Sequence, residues 1–409
     1  MPPALGANSA MKVLSIFGTR PEAIKMAPLV TALQNEPQIQ SVVCVTGQHR
    51  EMLDQVLALF ELKAQHDLDI MVPNQTLNGL YARLINRVDG VLEAEKPDCV
   101  LVHGDTSTAS ACALASFHRR VRIGHVEAGL RTGNLAMPFP EEMNRRVVDA
   151  IGDLLFAPTA ESRGNLLREN LAGSITVTGN TVIDALAMTC AKLTAGSALT
   201  RMLQTRYAWL DPNRRLLLVT GHRRESFGEG FRNICAALAD LARRADLQIV
   251  YPVHQNPQVR GVVMAELSGL PNVHLIDPLD YLDFVWFMQR SHLILTDSGG
   301  VQEEAPYLGK PVLVMRDVTE RPEAVSAGTV LLVGTQRARI VAEVNRLLAD
   351  EGHHASFARR INPYGDGQAS QRIVRALLGQ PFDEFAAGHT GAAAVPGIAA
   401  AVTRGMAPA

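Results

Sequence analysis

A glycine-containing stretch, DSGGVQEE, directly follows the apolar run HLILT. Gly299 and Gly300 let the backbone approach a ligand closely, and the helix predicted to begin there presents free N–H groups that bind phosphate. Glu303 and Glu304, one turn later, can accept hydrogen bonds from the two hydroxyl groups of a ribose. The pattern predicts a diphosphate site at Ser298 and the two glycines, although a capped helix with solvated glutamates explains the SGG triplet equally well.

Carboxylates occur in three other segments, HGDTST, HVEAG and PFPEEMNRR. Asp105 and Glu127 each follow a strand-like run, and Glu141 opens a predicted helix after two prolines. Because these acids lack the spacing of metal ligands, they suit proton transfer at carbon better than metal catalysis. Asp105 alone could equally be the N-cap of the next helix. The histidines of the same segments, His103 and His125, are interpreted as structural.

Cationic and imidazole side chains follow other strand-like runs. Arg20 stands at the end of the run KVLSIFG, and Lys25 comes about one turn later, a pair that suits a pyrophosphate group. His222 and Arg223 follow RLLLVTG, and His254 in YPVHQNP has a similar but more weakly supported position. We expect these side chains to contact phosphate or sugar, although an isolated cation is more often in a surface ion pair and a lone histidine is more often structural.

Short apolar, β-branched runs alternate with helix-like stretches, which is typical of a mostly parallel sheet with helices on both faces. One set of runs covers residues 12–180 and a second covers residues 215–335, with a helix-like stretch around 185–207 between them. The pattern predicts two doubly wound α/β domains, at 11–180 and 181–367. Open α/β sheets bind ligands beyond the carboxyl ends of their strands, so we expect the site in a cleft that the two domains face.

The overall composition is that of an ordinary globular protein: 47% of the residues are hydrophobic, 20% are charged and the net charge is -2. These values give no electrostatic reason to expect nucleic acid or a membrane as a partner. The five cysteines are scattered in apolar surroundings and are interpreted as reduced core thiols. The N-terminal segment lacks the features of a secretion signal, and no apolar run is long enough to span a bilayer. We therefore expect a cytoplasmic protein with flexible ends at 1–10 and 382–409.

Ten motifs taken together resemble, in order and over nearly all of residues 12–375, the non-hydrolysing UDP-N-acetylglucosamine 2-epimerases. They are GTRPE, GQHREMLDQ, HGDTST, HVEAGLRTGN, PFPEEMNRR, TGNTVIDAL, TGHRRES, YPVHQNP, DSGGVQEEAP and GKPVLVMRDVTERPEA. The resemblance implies two Rossmann-like domains of the GT-B type, a homodimer, and a C-terminal helix at about 368–380 that returns to the first domain. It also implies inversion of C2 of UDP-N-acetylglucosamine by elimination and readdition of UDP, with no NAD, metal or other cofactor.

The resemblance also implies a role for each residue that matches a family motif. The catalytic residues would be Asp105, Glu127, Glu141 and His222. The UDP-sugar would be bound by these acids and His222 together with Arg20, Lys25, Leu279, Phe284, Ser298, Gly299, Gly300, Glu304 and Arg321. Phe284 matches the aromatic residue beside uracil, and Leu279 stands where some relatives have glutamine, a contact that would survive if the backbone makes it.

A second UDP-N-acetylglucosamine activates bacterial members of the family, and the matching positions here are Gln48, His222, Arg223 and His254. Glu51 stands where some members have glutamine, which weakens the expectation of allosteric activation. The resemblance also implies that the product supplies a cell-surface polysaccharide. The sequence leaves open which polysaccharide pathway is served and whether a substituted form of the same nucleotide sugar is preferred.

Three other functions fit parts of the pattern. A hydrolysing epimerase would release N-acetylmannosamine and UDP after the same elimination. A retaining glycosyltransferase would bind a UDP-sugar on the same fold but leave C2 untouched. A UDP-sugar sensor would bind without turnover. The three acids and the spacing around PFPEEMNRR favour the non-hydrolysing epimerase.

Overall fold

The computed structural model describes residues 10–47, 50–358 and 362–387. Parallel strands alternate with helices along these ranges and form two separate sheets, which confirms the predicted doubly wound α/β fold. Residue contacts divide the chain into two units. The first comprises the described part of Met1–Ala185 together with Pro363–Ala387, and the described part of the second is Leu186–Asn362. The division after Ala185 lies a few residues beyond the boundary expected at 180.

The first unit contains one parallel sheet. Its strands in the described residues are β1 (Met11–Phe17), β2 (Ile39–Val45), β3 (His66–Asp67), β4 (Cys99–His103), β5 (Arg122–Val126), β6 (Leu154–Ala157) and β7 (Ser174–Val177). Their spatial order is β3-β2-β1-β4-β5-β6-β7. All of them except β3 coincide with apolar runs of the sequence, whereas β3 consists of two polar residues and carries no apolar pattern.

The second unit contains a parallel sheet of the same kind. Its strands in the described residues are β8 (Arg215–Thr220), β9 (Leu247–Pro252), β10 (Val273–Ile276), β11 (Leu293–Thr296), β12 (Val312–Val314) and β13 (Val330–Leu332). Their order is β10-β9-β8-β11-β12-β13. Every one of these strands was expected from an apolar run.

Helices connect the strands in both units. The described α-helices are α1 (Arg20–Gln34), α2 (Arg50–Leu59), α3 (Leu77–Glu95), α4 (Ser107–His118), α5 (Glu141–Ile151), α6 (Ala160–Arg168), α7 (Thr181–Lys192), α8 (Ala198–Arg206), α9 (Glu229–Leu241), α10 (Pro257–Leu267), α11 (Tyr281–Arg290), α12 (Gly299–Glu304), α13 (Pro322–Ser326), α14 (Arg337–Ala349), α15 (Glu351–Ala358) and α16 (Ala369–Leu377). None of these described helices is long and apolar enough to cross a membrane.

The strand order of each sheet reverses at one place. In the first sheet β1 lies between β2 and β4, and in the second β8 lies between β9 and β11. The chain connections leave such a pair of neighbouring strands in opposite directions, which opens a crevice at their carboxyl ends. The crevices of this chain therefore lie beyond β1 and β4 in the first unit and beyond β8 and β11 in the second.

The strands that border these crevices are buried because helices cover the sheets. Every residue of β4 and of β11 is buried. Such strands read as continuous apolar runs rather than as alternating ones, which is why the sequence pattern located them. The polar residues that follow β4 and β11 are consequently attached to buried, well-packed strands.

The chain returns to the first unit through α16. Asp184, which is buried, accepts hydrogen bonds from the backbone N–H groups of Ala369 at 3.1 Å and Ser370 at 2.7 Å. Both groups lie in the first turn of the helix, where backbone donors lack a partner within the helix. Asp184 thus anchors the returning helix at the place where the chain passes from one unit to the other.

The segment after Pro381 departs from the sequence expectation. The N–H group of Phe385 donates to the carbonyl of Val177 at 2.9 Å, and its ring is buried beneath the guanidinium group of Arg372. Residues 382–387 are therefore packed on the first unit, and the flexible tail predicted from 382 does not begin there. The remaining residues of that prediction, 388–409, lie outside the described residues.

Candidate active site

The loops after β1 and β4 are joined by a buried carboxylate. Glu22 accepts hydrogen bonds from the backbone N–H groups of Gly18 at 3.1 Å and Thr19 at 2.8 Å, and from the hydroxyl group of Thr106 at 2.7 Å. Burial raises the pKa of Glu22 above its ordinary value, which these hydrogen bonds partly offset. Glu22 is not among the residues predicted from the sequence, although the spacing Thr-x-x-Glu from Thr19 is that of a capping box. The link fixes the backbone that carries Arg20.

Asp105 is held by the start of α5. Its carbonyl accepts a hydrogen bond from the side-chain amide of Asn144 at 2.8 Å, and its carboxylate forms an ion pair with Arg145. Arg145 also donates to the buried carboxylate of Glu142 at 3.0 Å. Thr106, rather than Asp105, is the N-cap of α4, so the structure assigns the capping role to the residue after the acid.

Glu141 is the first residue of α5, as expected from the two preceding prolines. Its Oε2 atom is buried and has no hydrogen-bond partner among the described residues. The same helix carries Arg145, so α5 brings Glu141 and the partner of Asp105 onto one element. A buried carboxylate oxygen without a partner is costly in a folded protein, which favours a role towards a ligand.

Glu127 follows β5 and is surrounded by donors. Its Oε2 atom forms an ion pair with Lys25 and accepts a hydrogen bond of 2.8 Å from the side-chain amide of Asn180. The Nε2 atom of His103 lies 3.9 Å from the same oxygen. The backbone of Glu127 has a φ of 69°, in the left-handed region that residues other than glycine rarely occupy. Strained backbone of this kind is concentrated at functional sites.

His125 is fully buried and has the structural role that the sequence analysis assigned to it. Its Nε2 atom lies 2.8 Å from the carbonyl oxygen of Gly104, which can only accept, so this nitrogen carries a proton. Its Nδ1 atom lies 2.6 Å from Asp149. Burial alone would raise the pKa of Asp149, but the neighbouring His125 and Arg131 lower it below its ordinary value. The chain of contacts fixes Gly104, directly before Asp105.

In the second unit, Asp297 organises the loop after β8. One of its carboxylate oxygens accepts hydrogen bonds from the backbone N–H groups of His222 at 2.7 Å and Arg223 at 2.8 Å. The ring of His222 is stacked on that of His254, with centroids 5.2 Å apart and an interplanar angle of 11°. Burial lowers the pKa of His222, Asp297 opposes this change, and His254 and Arg223 add to it. The two histidines predicted at separate strand ends are thus in contact.

The backbone after β11 is arranged for close approach. The Ser298 side chain makes no capping hydrogen bond, which argues against the simple capped-helix interpretation. A Cβ atom on Gly299 would lie 3.7 Å from Nη2 of Arg321 and 4.0 Å from Nη2 of Arg223. Two guanidinium groups therefore border the surface that Gly299 leaves open, and both are well suited to bind phosphate oxygens.

The two glutamates of α12 have different partners. Glu303 is buried and forms an ion pair with Arg321, a residue predicted to bind phosphate. Glu303 is therefore not a solvated glutamate. Glu304 is 7% exposed and accepts a hydrogen bond of 2.7 Å from the hydroxyl group of Tyr281. Phe284 lies one turn further along α11 and is half-buried. Leu279, also half-buried, directly precedes the N-cap of that helix.

Two residues predicted for a second ligand are not located. Gln48 lies outside the described residues, and the side chain of Glu51 is likewise outside them. Within the described ranges, no three His, Cys, Asp or Glu side chains form a group that could hold a metal ion.

Besides Glu22, three residues of the candidate site were not predicted from the sequence. Asn180 ends the motif VTGN after β7, and its strand-end position is a signal that could have identified it. Arg145 stands one helical turn after Glu141, a spacing that places the two on one face of α5. Tyr281 offers no such signal, because only the folded chain brings its hydroxyl group to Glu304.

Known proteins match this chain over most of its length. The family model described as UDP-N-acetylglucosamine 2-epimerase matches residues 31–378. A relative from Escherichia coli (strain K12), named UDP-N-acetylglucosamine 2-epimerase, is 58% identical over 369 residues, which cover 90% of this chain and 98% of the relative.

Two solved structures similar to this chain are also UDP-GlcNAc 2-epimerases. A structure of UDP-GlcNAc 2-epimerase from Neisseria meningitidis bound to UDP-GlcNAc has a TM-score of 0.84 and 50% identity, and the match covers 90% of this chain and all of that one (100%). The Methanocaldococcus jannaschii UDP-GlcNAc 2-epimerase in complex with UDP-GlcNAc and UDP has a TM-score of 0.75 and 33% identity, with coverage of 90% and 100%. The chain therefore belongs to the UDP-N-acetylglucosamine 2-epimerase family, and with it to the isomerases.

Proposed function

We propose that this chain interconverts UDP-N-acetylglucosamine and UDP-N-acetylmannosamine by inverting C2, without hydrolysis and without a cofactor. The proposal is supported by membership of the family and by the Neisseria meningitidis relative, whose structure is described as bound to UDP-GlcNAc. The observation that carries it is the arrangement of carboxylates in the first unit, where Glu127 is grouped with Lys25 and Asn180, and Asp105 is held by the helix that Glu141 begins.

The reaction begins with removal of the proton on C2 by one carboxylate. The electron pair of that C–H bond forms a C1=C2 double bond while the bond between C1 and the diphosphate oxygen breaks, which gives 2-acetamidoglucal and UDP. The diphosphate oxygen then adds back to C1 as a second group protonates C2 on the other face. Asp105, Glu127 and Glu141 are the candidates for these proton transfers, because positioned carboxylates of this kind act as general acids and bases.

The leaving group needs its own stabilisation, since the proton on C2 is only weakly acidic. The groups that we assign to the diphosphate are Arg20, Lys25, His222, Arg321 and the backbone at Ser298, Gly299 and Gly300. Donors held in place before the reaction stabilise a developing negative charge without a further cost of reorganisation. In the structure, the ion pair with Glu303 holds the Arg321 guanidinium beside Gly299.

The nucleoside is assigned to α11 and α12. Glu304 is placed to accept hydrogen bonds from the ribose hydroxyl groups, and the aromatic ring of Phe284 is assigned to uracil, with Leu279 beside it. The hydroxyl group of Tyr281 donates a hydrogen bond to one carboxylate oxygen of Glu304 and so fixes the orientation of that carboxylate. An orientation fixed before binding reduces the entropy that binding costs.

A second UDP-N-acetylglucosamine is proposed as an activator, bound by His222, Arg223 and His254 together with Gln48 and Glu51. The stacking of His222 on His254 supports this assignment, because it brings two of the predicted residues into one surface. We further propose that the chain acts in the cytoplasm as a homodimer. The five buried thiol side chains fit a reducing compartment, and sedimentation velocity tests the oligomeric state.

The experiment that tests the function is proton NMR of UDP-N-acetylglucosamine with the purified chain in deuterated water, without NAD or added metal. Appearance of UDP-N-acetylmannosamine carrying deuterium at C2 is the expected result. Free N-acetylmannosamine with UDP would replace the proposal by a hydrolysing reaction. An unchanged spectrum would overturn it, and tests with acceptor sugars would then examine glycosyl transfer.

A further inference from the structure

His103 is a buried polar side chain that the proposed mechanism does not use. It ends β4, is 3% exposed, and neither of its ring nitrogens has a hydrogen-bond partner among the described residues. Buried histidines nearly always satisfy at least one nitrogen, as the neighbouring His125 does twice. The position therefore calls for an explanation beyond packing.

The ring of His103 points towards the carboxylate of Glu127. Its Nε2 atom is 3.9 Å from Oε2, the oxygen that Lys25 and Asn180 already contact. At this distance no hydrogen bond forms, but a movement of about 1 Å would bring the two atoms into range. Lys25, Asn180 and His103 thus surround Oε2 of Glu127, and His103 is the one of these three that is too far away to donate a hydrogen bond.

Lys25 cannot serve both of its assigned roles equally well. In this structure its ammonium group is in an ion pair with Glu127, whereas the proposed function assigns it to the diphosphate group. Two negative phosphates attract an ammonium group more strongly than one carboxylate does. When the lysine moves, Glu127 is left with a half-buried negative charge that needs another donor.

We propose that His103 is a positioning residue for Glu127, and that its neutral imidazole donates a hydrogen bond to Oε2 when a bound diphosphate group draws Lys25 away. This inference rests on the proposed function, because it requires that the chain bind a UDP-sugar through Lys25. The exchange leaves Glu127 oriented but no longer neutralised by the lysine. Glu127 then becomes available for proton transfer only after the leaving group is bound.

The charge state of His103 fits this role. Burial lowers the pKa of His103 to about 3; Glu127 opposes this effect, and Lys25 and His125 add to it. A ring that stays neutral near pH 7 has one N–H donor and does not itself neutralise the carboxylate. It can therefore hold the direction of Glu127 without competing for the proton on C2.

The test is a double-mutant cycle on UDP binding, measured by isothermal titration calorimetry with UDP as the ligand. His103→Leu is expected to weaken binding about tenfold in the chain with Glu127, because the carboxylate that Lys25 leaves then gains no donor in its place. In the Glu127→Gln background the same change is expected to alter binding less than about twofold, because no charge is left to stabilise. Equal effects in both backgrounds, or no effect in either, would overturn the inference.

Two further variants separate positioning from folding. His103→Gln keeps a neutral N–H donor and is expected to recover most of the lost affinity, whereas a loss equal to that of His103→Leu would contradict the proposal. His118→Leu, at an exposed position of α4, is the matched control and is expected to bind UDP as the unmodified chain does. Should His103→Leu fail to fold, His103→Phe, which keeps a flat ring without a donor, takes its place in the cycle.

The calorimetric and NMR measurements together distinguish failure of this inference from failure of the proposed function. UDP binding by the unmodified chain without epimerisation in the NMR experiment would overturn the proposed function alone. UDP binding with additive effects of the two substitutions would overturn only the exchange at Glu127. A chain that binds no UDP would overturn both.

Discussion

The hydroxyl group of Thr106 donates a hydrogen bond of 2.7 Å to the carboxylate of Glu22, and this contact joins the loop after β1 to the loop after β4. Arg20 is the first residue of α1, directly after the first loop, and Asp105 lies in the second. The two residues follow the two strands between which the sheet order reverses, β1 and β4. A single buried side chain therefore fixes the distance between a candidate phosphate ligand and a candidate catalytic acid.

Replacement of Glu22 by alanine is expected to destabilise the first unit by about 2–4 kcal/mol, because three buried or partly buried donors lose their acceptor. Epimerase activity is expected to fall by a larger factor than the affinity for UDP, because the loop that carries Asp105 loses its hydrogen bond to Glu22. Thermal unfolding and initial rates check both expectations. Glu161→Gln, which breaks an exposed ion pair with Arg168, is the control and should change stability by less than about 0.5 kcal/mol. Equal stability of the two variants would contradict the role of Glu22.

The anchor of α16 is expected to make stability depend on pH. Burial raises the pKa of Asp184 to about 6, from an ordinary value of 3.8, with the nearby Asp366 adding to the effect. The folded chain therefore holds a proton that the unfolded chain releases between about pH 4 and pH 6, so stability falls as the pH rises through this window and then becomes level.

Asp184→Asn removes this titration. Relative to the unmodified chain, the variant is expected to gain stability from pH 4 to pH 6 by an amount on the order of 3 kcal/mol, which corresponds to the shift in pKa. Urea unfolding at pH 4.5, 6 and 7.5 measures the difference. Parallel pH profiles of the two proteins would show that Asp184 is charged throughout the range.

The strand pattern of the fold was predictable because buried parallel strands are continuous apolar runs with polar residues at their ends. The two-residue β3 lacks such a run, and only its pairing with β2 defines it. The position of residues 382–387 was not predictable either, because one apolar side chain, Phe385, anchors a segment whose average composition is that of a flexible tail.

The candidate site was predictable in its members more than in their contacts. Lys25 and Glu127 were both selected, from separate strand ends, but their ion pair joins residues that are 102 positions apart and that no local pattern connects. The same holds for Tyr281 and Glu304. Strand ends of a parallel sheet converge on one edge, so sequence identifies which residues lie there, whereas side-chain partners depend on packing that only the folded chain provides.

Tyr281→Phe is expected to weaken UDP binding about three- to tenfold. The substitution keeps the buried ring but removes the hydrogen bond that orients the Glu304 carboxylate. Because Glu304 is assigned to the ribose, the loss should be smaller for 2′,3′-dideoxy-UDP, which lacks both hydroxyl groups. Calorimetric titration with the two nucleotides measures the ratio. An equal loss for both would show that Tyr281 acts on packing and not through the ribose contact.

Gly299→Ala tests the diphosphate position most directly. The added Cβ atom would lie 3.7 Å from Arg321, an ordinary contact distance, and the backbone is not in the left-handed region, so the melting temperature is expected to change by no more than about 2 °C. The methyl group would nevertheless stand where the phosphates approach, and UDP binding is expected to weaken at least tenfold. Gly90→Ala, in α3 with open space around it, is the control and should stabilise the chain by about 0.5–1 kcal/mol with unchanged binding. Unchanged UDP affinity in the folded Gly299→Ala variant would show that the diphosphate does not bind against this backbone.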